Sequence, residues 1–248
     1  MDVVVICMDY NIWQCPYKKT LFHTQIKNIF IGGIEVPYYS QEIQFLKLTS
    51  KDDMSTYPLF GDSGTCTAIE LVPEDNQKES FFNLGAYGSA YDMIMVKGGD
   101  SRVHFLECSL SPIKYADNVF HNNLELSLNG MDVFLFGINI APKCINELCD
   151  RFHISINDKT LVSLHQANKP INKNILQKLG LLEKQFQNSL KDFGNTSSAS
   201  IPLSLFTQCK DKLKNECAHI TCCFGVGATC GSAYFKTSDL VIPDLIEI

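Results

Sequence analysis

From Leu128 onward, stretches of helical periodicity alternate with short apolar runs, the alternation expected of an α/β fold. Residues 3–8 form a continuous apolar run, β-branched over its first four positions, with the pattern of a buried strand, which the polar and proline-bearing segment 9–16 then breaks. Between Tyr10 and Pro58 the period is lost. Trp13, Tyr17, Phe22, Phe30, Tyr38, Tyr39 and Phe45 are interleaved with Lys, Gln and single prolines, and no motif is placed there. The segment is expected to be an insertion or divergent stretch, with a packed excursion lacking chemistry as the plainer account.

Order returns at Leu59. Phe60-Gly61-Asp62 makes a tight turn into a strand that contains Cys66. Asp62, between small residues, is expected to bond local backbone amides rather than to act in catalysis. Glycine-rich segments at 83–90 and 97–102 flank a strand-like run at 91–96 and read as turns. Neither has the strand, glycines, helix order with a following Lys-Ser or Lys-Thr that a phosphate cradle needs.

The long segment from Leu128 has apolar residues at Val133, Phe136, Ile140, Ile145 and Leu148, a helix capped by Asn129 or Asp132 and ending near Asp150 and Arg151. A polar connection at 155–159 leads into an apolar strand at 160–164. Ile171, Ile175, Leu179 and Leu182 recur at helical intervals, with Gly180 as a stop signal. A helix over 200–213 with Pro202 in its first turn, a strand over 220–224 and a short further strand over 233–235 complete the chain.

Composition narrows the class. At 248 residues and 45% hydrophobic content the chain can bury a real core, as one large domain or two small ones. A formal charge of -6 and a pI near 5.5 argue against sequence-independent nucleic-acid binding, which requires basic surface. No apolar run reaches the roughly 20 residues that span a bilayer, and no basic segment precedes the first apolar run, so no membrane role and a cytoplasmic location are expected. The 11 cysteines lack the paired spacing of a metal site and are expected to be mostly reduced, buried small hydrophobes.

Three stretches near the C-terminal end carry candidate chemistry: Ser163-Leu164-His165-Gln166-Ala167-Asn168, Gly194-Asn195-Thr196-Ser197-Ser198-Ala199-Ser200, and Cys223-Phe224-Gly225-Val226-Gly227-Ala228-Thr229-Cys230-Gly231. His165 falls at the C-terminal end of a predicted strand, where open α/β sheets place ligands. By itself, one such histidine is as readily structural as catalytic. His23, His104, His121, His153 and His219 have no comparable context and are expected in turns or on the surface.

Together, in this order and at these intervals, the three stretches resemble the His, Asn and glycine-loop motifs of β-ketoacyl-acyl-carrier-protein synthase III, a condensing enzyme of the thiolase fold. Phe60-Gly61-Asp62 and Asn129-Gly130 extend the resemblance back to about Leu59. It implies an α/β fold, the C-terminal half of a thiolase-like structure with a mixed sheet covered by helices. The implied organisation is a divergent segment at 1–58 with one core strand, followed by a synthase-like domain at 59–248. It also implies that His165 and Asn195 donate hydrogen bonds to a thioester oxygen during decarboxylation. Asn168, Phe134, Phe224 and Gly225 would line the substrate, although spacing alone makes Phe134 plain core. Lys169 would face the carrier protein, with Pro170 where the family often has arginine.

No permanently bound cofactor or metal is implied; coenzyme A or acyl-carrier-protein thioesters would be substrates. In the family the nucleophile is a cysteine at a helix N-terminus. None of the cysteines here has that setting, with Cys66 in a strand, Cys222 and Cys223 in the last buried strand and Cys144 and Cys149 on a helix, so the nucleophile half is expected to lie outside this sequence. Three accounts are compatible with this: an acyltransferase component, homo- or hetero-oligomeric with a cysteine-bearing chain; a non-catalytic partner subunit; and a truncated remnant.

Overall fold

The computed structural model describes residues 28–35, 57–61, 63–70, 79–98, 111–116, 119–238, 240–242 and 244–245. At its centre is a mixed sheet of four strands in the order β3-β10-β9-β8: Phe81–Ala86 (β3), Thr229–Thr237 (β10), Cys217–Gly225 (β9) and Leu161–Leu164 (β8). The β8 and β9 strands run parallel, with Leu164 opposite Cys222, while β10 runs antiparallel to both β9 and β3. Phe186 adds a single parallel bridge outside β8, at Val162.

Two layers of helix cover this sheet. Gly130–Phe152 (α1) and Lys169–Leu179 (α2) close the larger core, where Ile145, Leu148, Ile171 and Ile175 meet Val162, Leu164, Ile220 and Phe224. Between the short helix Leu190–Phe193 (α3) and Ser200–Gln208 (α4) lies a single 3-10 turn; Ile201 and Leu205 of α4 pack with Leu161 and Cys223 in the smaller cluster. All four residues of β8 are buried, which is why its sequence is mostly apolar, with Ser163 the one polar residue, rather than alternating.

The helix signals act as expected. Asn129 caps α1 by accepting the Asp132 N–H, and His153 closes it in the left-handed conformation (φ 54°). Asn168 caps α2, and left-handed Gly180 (φ 64°) stops it. No helix among the described residues is long and apolar enough to cross a membrane.

Several expectations are corrected. The helix expected over 200–213 ends at Gln208; the chain then tightens into a 3-10 turn, Lys212–Lys214, that still buries Leu213. Of the residues read as a turn at 83–90, the first four belong to β3, an edge strand that accommodates Gly85 opposite Cys230. The run at 91–96 is a strand only over Ile94–Val96 (β4), paired with Leu126–Leu128 (β7). A second small hairpin joins Ile113–Ala116 (β5) to Val119–His121 (β6).

One strand had no sequence signal. Asn28–Glu35 (β1) pairs antiparallel along its full length with Ser63–Glu70 (β2), across the boundary drawn at residue 58. The strand expected at 3–8 and the turn bonds expected of Asp62 lie outside the described residues.

His219 is not a surface or turn residue. It lies in β9, fully buried, stacked on Phe235 at 4.9 Å, with Nε2 2.8 Å from Thr237 Oγ1. Burial pulls its pKa down from 6.5 to about 4. Between those two pH values the unfolded chain binds the proton and the native chain does not. Stability is therefore expected to fall as pH drops from about 6.5 toward 4, by about 3 kcal/mol from this group. Urea midpoints across that range should decline less steeply in His219→Gln than in wild type; equal slopes would remove His219 as the cause.

Candidate active site

His165 is placed by its strand. Its N–H continues the parallel β8–β9 ladder by donating to Cys222 O at 2.8 Å, so the ring emerges where β8 ends. The edge of the half-buried imidazole meets the Phe224 ring, 5.6 Å between centroids, and Nδ1 lies 2.9 Å from Ser200 Oγ at the start of α4. Phe224 also approaches Phe136 of α1 at 6.4 Å. The close approach of α1 to this ring depends on Gly137, where a Cβ would stand 2.8 Å from Phe224.

Behind His165, Gln166 is completely buried and makes the site rigid. Its side-chain amide donates to Leu164 O (2.8 Å) and Gln187 O (3.0 Å) and accepts from Ser189 N–H (3.2 Å). The histidine motif is thereby tied to the segment leading into α3. Each polar atom so buried has a protein partner, as its burial requires.

Asn195 follows Gly194, whose φ of 67° turns the chain out of α3. Its backbone is gripped by a segment far away in sequence: the Asn195 N–H donates to Leu59 O and the Gly61 N–H donates to Asn195 O, both at 3.0 Å. Phe60 and Asn195 thus form a parallel bridge. Gly61 sits so close to Phe193 that a Cβ would be 1.8 Å from that residue's carbonyl oxygen.

The Asn195 side chain is 6% exposed, and its Oδ1 accepts the Ser197 N–H at 2.9 Å. That bond settles the amide's orientation, because only oxygen can accept there. Ser197 takes a positive φ of 48°, unusual outside glycine, in making this turn. The chain then passes through the 3-10 turn Ser197–Ala199 directly to Ser200, the serine that touches His165.

The remaining candidates fall into two groups. Phe224, near the end of β9, is beside His165 in the fold, and Gly225 is the last residue of that strand. Asn168 is half-buried and uses its Oδ1 to accept the Ile171 N–H at 2.9 Å as the α2 cap. Phe134 is half-buried and packs on the larger core, whereas Phe136 of the same helix is the ring that reaches Phe224. Lys169 is exposed in the first turn of α2. The residues that sequence reasoning missed here are Ser200, which belongs to the Asn motif but had no assigned role, and Gly61, whose contact with Asn195 leaves no local signature.

Thiols occur beside the site, but inside the core. Cys144, Cys222 and Cys230 are each at most 2% exposed, with Cys222 and Cys230 Sγ atoms 3.8 Å apart and Cys144 Sγ 3.2 Å from Ser232 Oγ. Hydrogen bonds from Cys222 and Cys230 lower the Cys144 pKa, while sharing with Cys144 and burial push Cys222 up. Burial also raises Cys209, to about 11, as well as Cys149 and Cys217. A nucleophile must meet substrate as an accessible thiolate. No group of three or more His, Cys, Asp or Glu side chains among the described residues could hold a metal.

Residues 149–237 match the family described as 3-oxoacyl-[acyl-carrier-protein (ACP)] synthase III C terminal. A β-ketoacyl-[acyl-carrier-protein] synthase III of Clostridium tetani is 31% identical, with 95% of this chain and 67% of the relative covered. The chain belongs to the β-ketoacyl-acyl-carrier-protein synthase III family. The enzyme of that name from Clostridium perfringens is 29% identical over 237 residues, again covering 95% of this chain and 67% of the relative. Among solved structures, a 3-oxoacyl-(acyl-carrier protein) synthase from Burkholderia xenovorans superposes with a TM-score of 0.74 at 26% identity, over 87% of this chain and 58% of that one. A 3-oxoacyl-(acyl-carrier-protein) synthase III structure at 21% identity gives a TM-score of 0.75, over 86% and 60%.

The thiolase-like fold inferred from the motifs is therefore established. The chain spans about two thirds of the length of the synthase III relatives from the two Clostridium species. Their match also covers most of residues 10–58, since 95% of the chain cannot be aligned without it.

Proposed function

We propose that this chain is an acyltransferase component of β-ketoacyl synthase III type, acting on acyl and malonyl thioesters of coenzyme A or an acyl-carrier protein in fatty-acid or polyketide-like biosynthesis. The observation that carries the reading is the pair of donor-bearing side chains, His165 and Asn195. The neighbours of each engage one polar atom: Ser200 at His165 Nδ1, and Ser197 N–H at Asn195 Oδ1.

In this reaction the bond between the malonyl α-carbon and its carboxylate breaks, carbon dioxide leaves, and the electron pair passes into an enolate. Two fixed N–H donors aimed at the thioester oxygen stabilise that charge as it forms, each by a few kcal/mol in a dry site. The enolate carbon then attacks the carbonyl of an acyl group held as a thioester, and a thiolate departs. Phe224 walls the site and keeps water from the enolate. Asn168 and Gly225 border the thioester arm. Lys169, exposed at the α2 N-terminus, meets the acidic carrier protein.

The acyl-holding thiol is not one of the buried described cysteines. By sequence, Cys7, next to last in the apolar run at 3–8, is the foremost candidate within the chain, ahead of Cys15. A cysteine from a second, associated synthase chain is the alternative.

Incubation of the full chain with radiolabelled acetyl-coenzyme A, followed by peptide mapping, tests the assignment. Label is expected on Cys7 and lost in Cys7→Ser. Label found only on a co-purifying chain would assign the thiol to that partner. Absence of both labelling and malonyl-thioester decarboxylation would overturn the reading.

A further inference from the structure

We infer that Ser200 is the positioning residue that sets the tautomer of His165, holding the ring proton on Nε2. The inference rests on the proposed donor role of His165 and adds the group that makes a neutral imidazole a donor in the required direction.

Ser200 is fully buried, and its Oγ has two partners: His165 Nδ1 at 2.9 Å and the Gln166 backbone N–H at 3.3 Å. The second can only donate, so it occupies an Oγ lone pair. The single hydroxyl hydrogen is then available to Nδ1, which must accept. A neutral imidazole that accepts at Nδ1 carries its proton at Nε2. The opposite tautomer would aim two N–H groups at one oxygen and leave a buried hydroxyl hydrogen turned away from both partners, an arrangement that costs the desolvation of that group.

The backbone of the serine is held as well. Its own carbonyl accepts from Ser204 Oγ at 2.6 Å, and Ser204 Oγ lies 2.9 Å from Ser189 Oγ. Since Ser204 spends its hydrogen on Ser200 O, Ser189 is the donor of that second pair. Ser189 is in turn fixed by its N–H to Gln166 Oε1, and Gln166 is the residue whose backbone N–H reaches Ser200 Oγ. The hydrogen-bond directions close into one consistent circuit around the start of α4. Nothing in it requires a charged group.

The inference is tested on the full chain labelled with 15N-histidine, by two-bond 1H–15N correlation spectra in which the tautomers give distinct cross-peak patterns. His165 is assigned by the signal lost in His165→Gln. Wild type is expected to show the Nε2–H pattern alone. Ser200→Ala should give a mixture of tautomers and a decarboxylation rate lower by roughly tenfold or more, expressed in kcat rather than KM. Ser200→Thr, which retains the hydroxyl, should restore the single pattern.

Thr207→Ala, on the same helix with its hydroxyl bonded to Leu203 O, should leave the His165 pattern unchanged. An Nδ1–H pattern in wild type would overturn the inference even if Ser200→Ala failed to fold, as would a pure Nε2–H pattern in a folded Ser200→Ala. Failure of the functional reading looks different. In that case Ser200 would still govern the tautomer, while His165→Ala decarboxylated malonyl thioester at the wild-type rate.

Discussion

His165→Ala is expected to lower malonyl-thioester decarboxylation by about 10²- to 10³-fold, the effect of removing one preorganised donor from an oxyanion site. The loss should fall on kcat, because the donor strengthens its bond only as charge reaches the thioester oxygen. Asn195→Ala should act similarly, and the double variant should lose less than the product of the two. With the enolate oxygen unsupported on one side, the second donor has less charge to stabilise. The stability of His165→Ala should fall by about 1–3 kcal/mol, since the buried Ser200 hydroxyl loses its Nδ1 partner while the backbone bond to Cys222 is kept. Steady-state decarboxylation with urea midpoints would check both statements. A folded variant with an undiminished rate would exclude His165 from the chemistry.

Gly61→Ala is expected to be the most damaging small substitution in the described chain. Its Cβ would have to occupy space 1.8 Å from Phe193 O and 2.9 Å from Phe193 C, and both are backbone atoms that cannot rotate aside. The strand segment must therefore withdraw from Asn195, with loss of the two 3.0 Å backbone bonds that hold it. Overpacking together with two lost hydrogen bonds gives a destabilisation of about 3 kcal/mol or more. Any protein that still folds should show reduced decarboxylation, because the Asn195 amide has lost its seat. Gly88→Ala, where an added Cβ meets nothing within 4 Å, is the matched control and should be near neutral. Equal urea midpoints for the two variants would contradict the close packing of Gly61 on Phe193.

Gly61 also shows where sequence reasoning stops. The His165 and Asn195 stretches are local: strand, turn and helix signals surround each, and their spacing is enough to suggest that they belong to one site. The pairing of Leu59 and Gly61 with Asn195 is not local, and nothing near residue 61 announces a partner so distant. His219 was misplaced for a related reason. β9 is buried on both faces over His219–Phe224, so its sequence has no alternation to mark a polar residue as inward. β1 went unseen because aromatic and polar residues surround it without a period, and its evidence is a register with β2 rather than a pattern of its own. Gly85 suggests a turn, yet it lies within β3, paired opposite Cys230 of β10. Helix α4 was drawn too long because Leu213 keeps the apolar spacing after the helix has ended.

The bridge between Phe60 and Asn195 also bears on how the protein reaches its working state. The residues it joins are about 135 positions apart, so closing that contact demands a large loss of chain entropy before any local element benefits. The hairpin of β9 and β10 joins residues close in sequence, so it can form early, whereas the Asn195 amide gains its final orientation only after this distant closure. In a refolding experiment, recovery of decarboxylation should therefore lag behind recovery of secondary structure, and catalytic rate becomes a clock for the last step of folding.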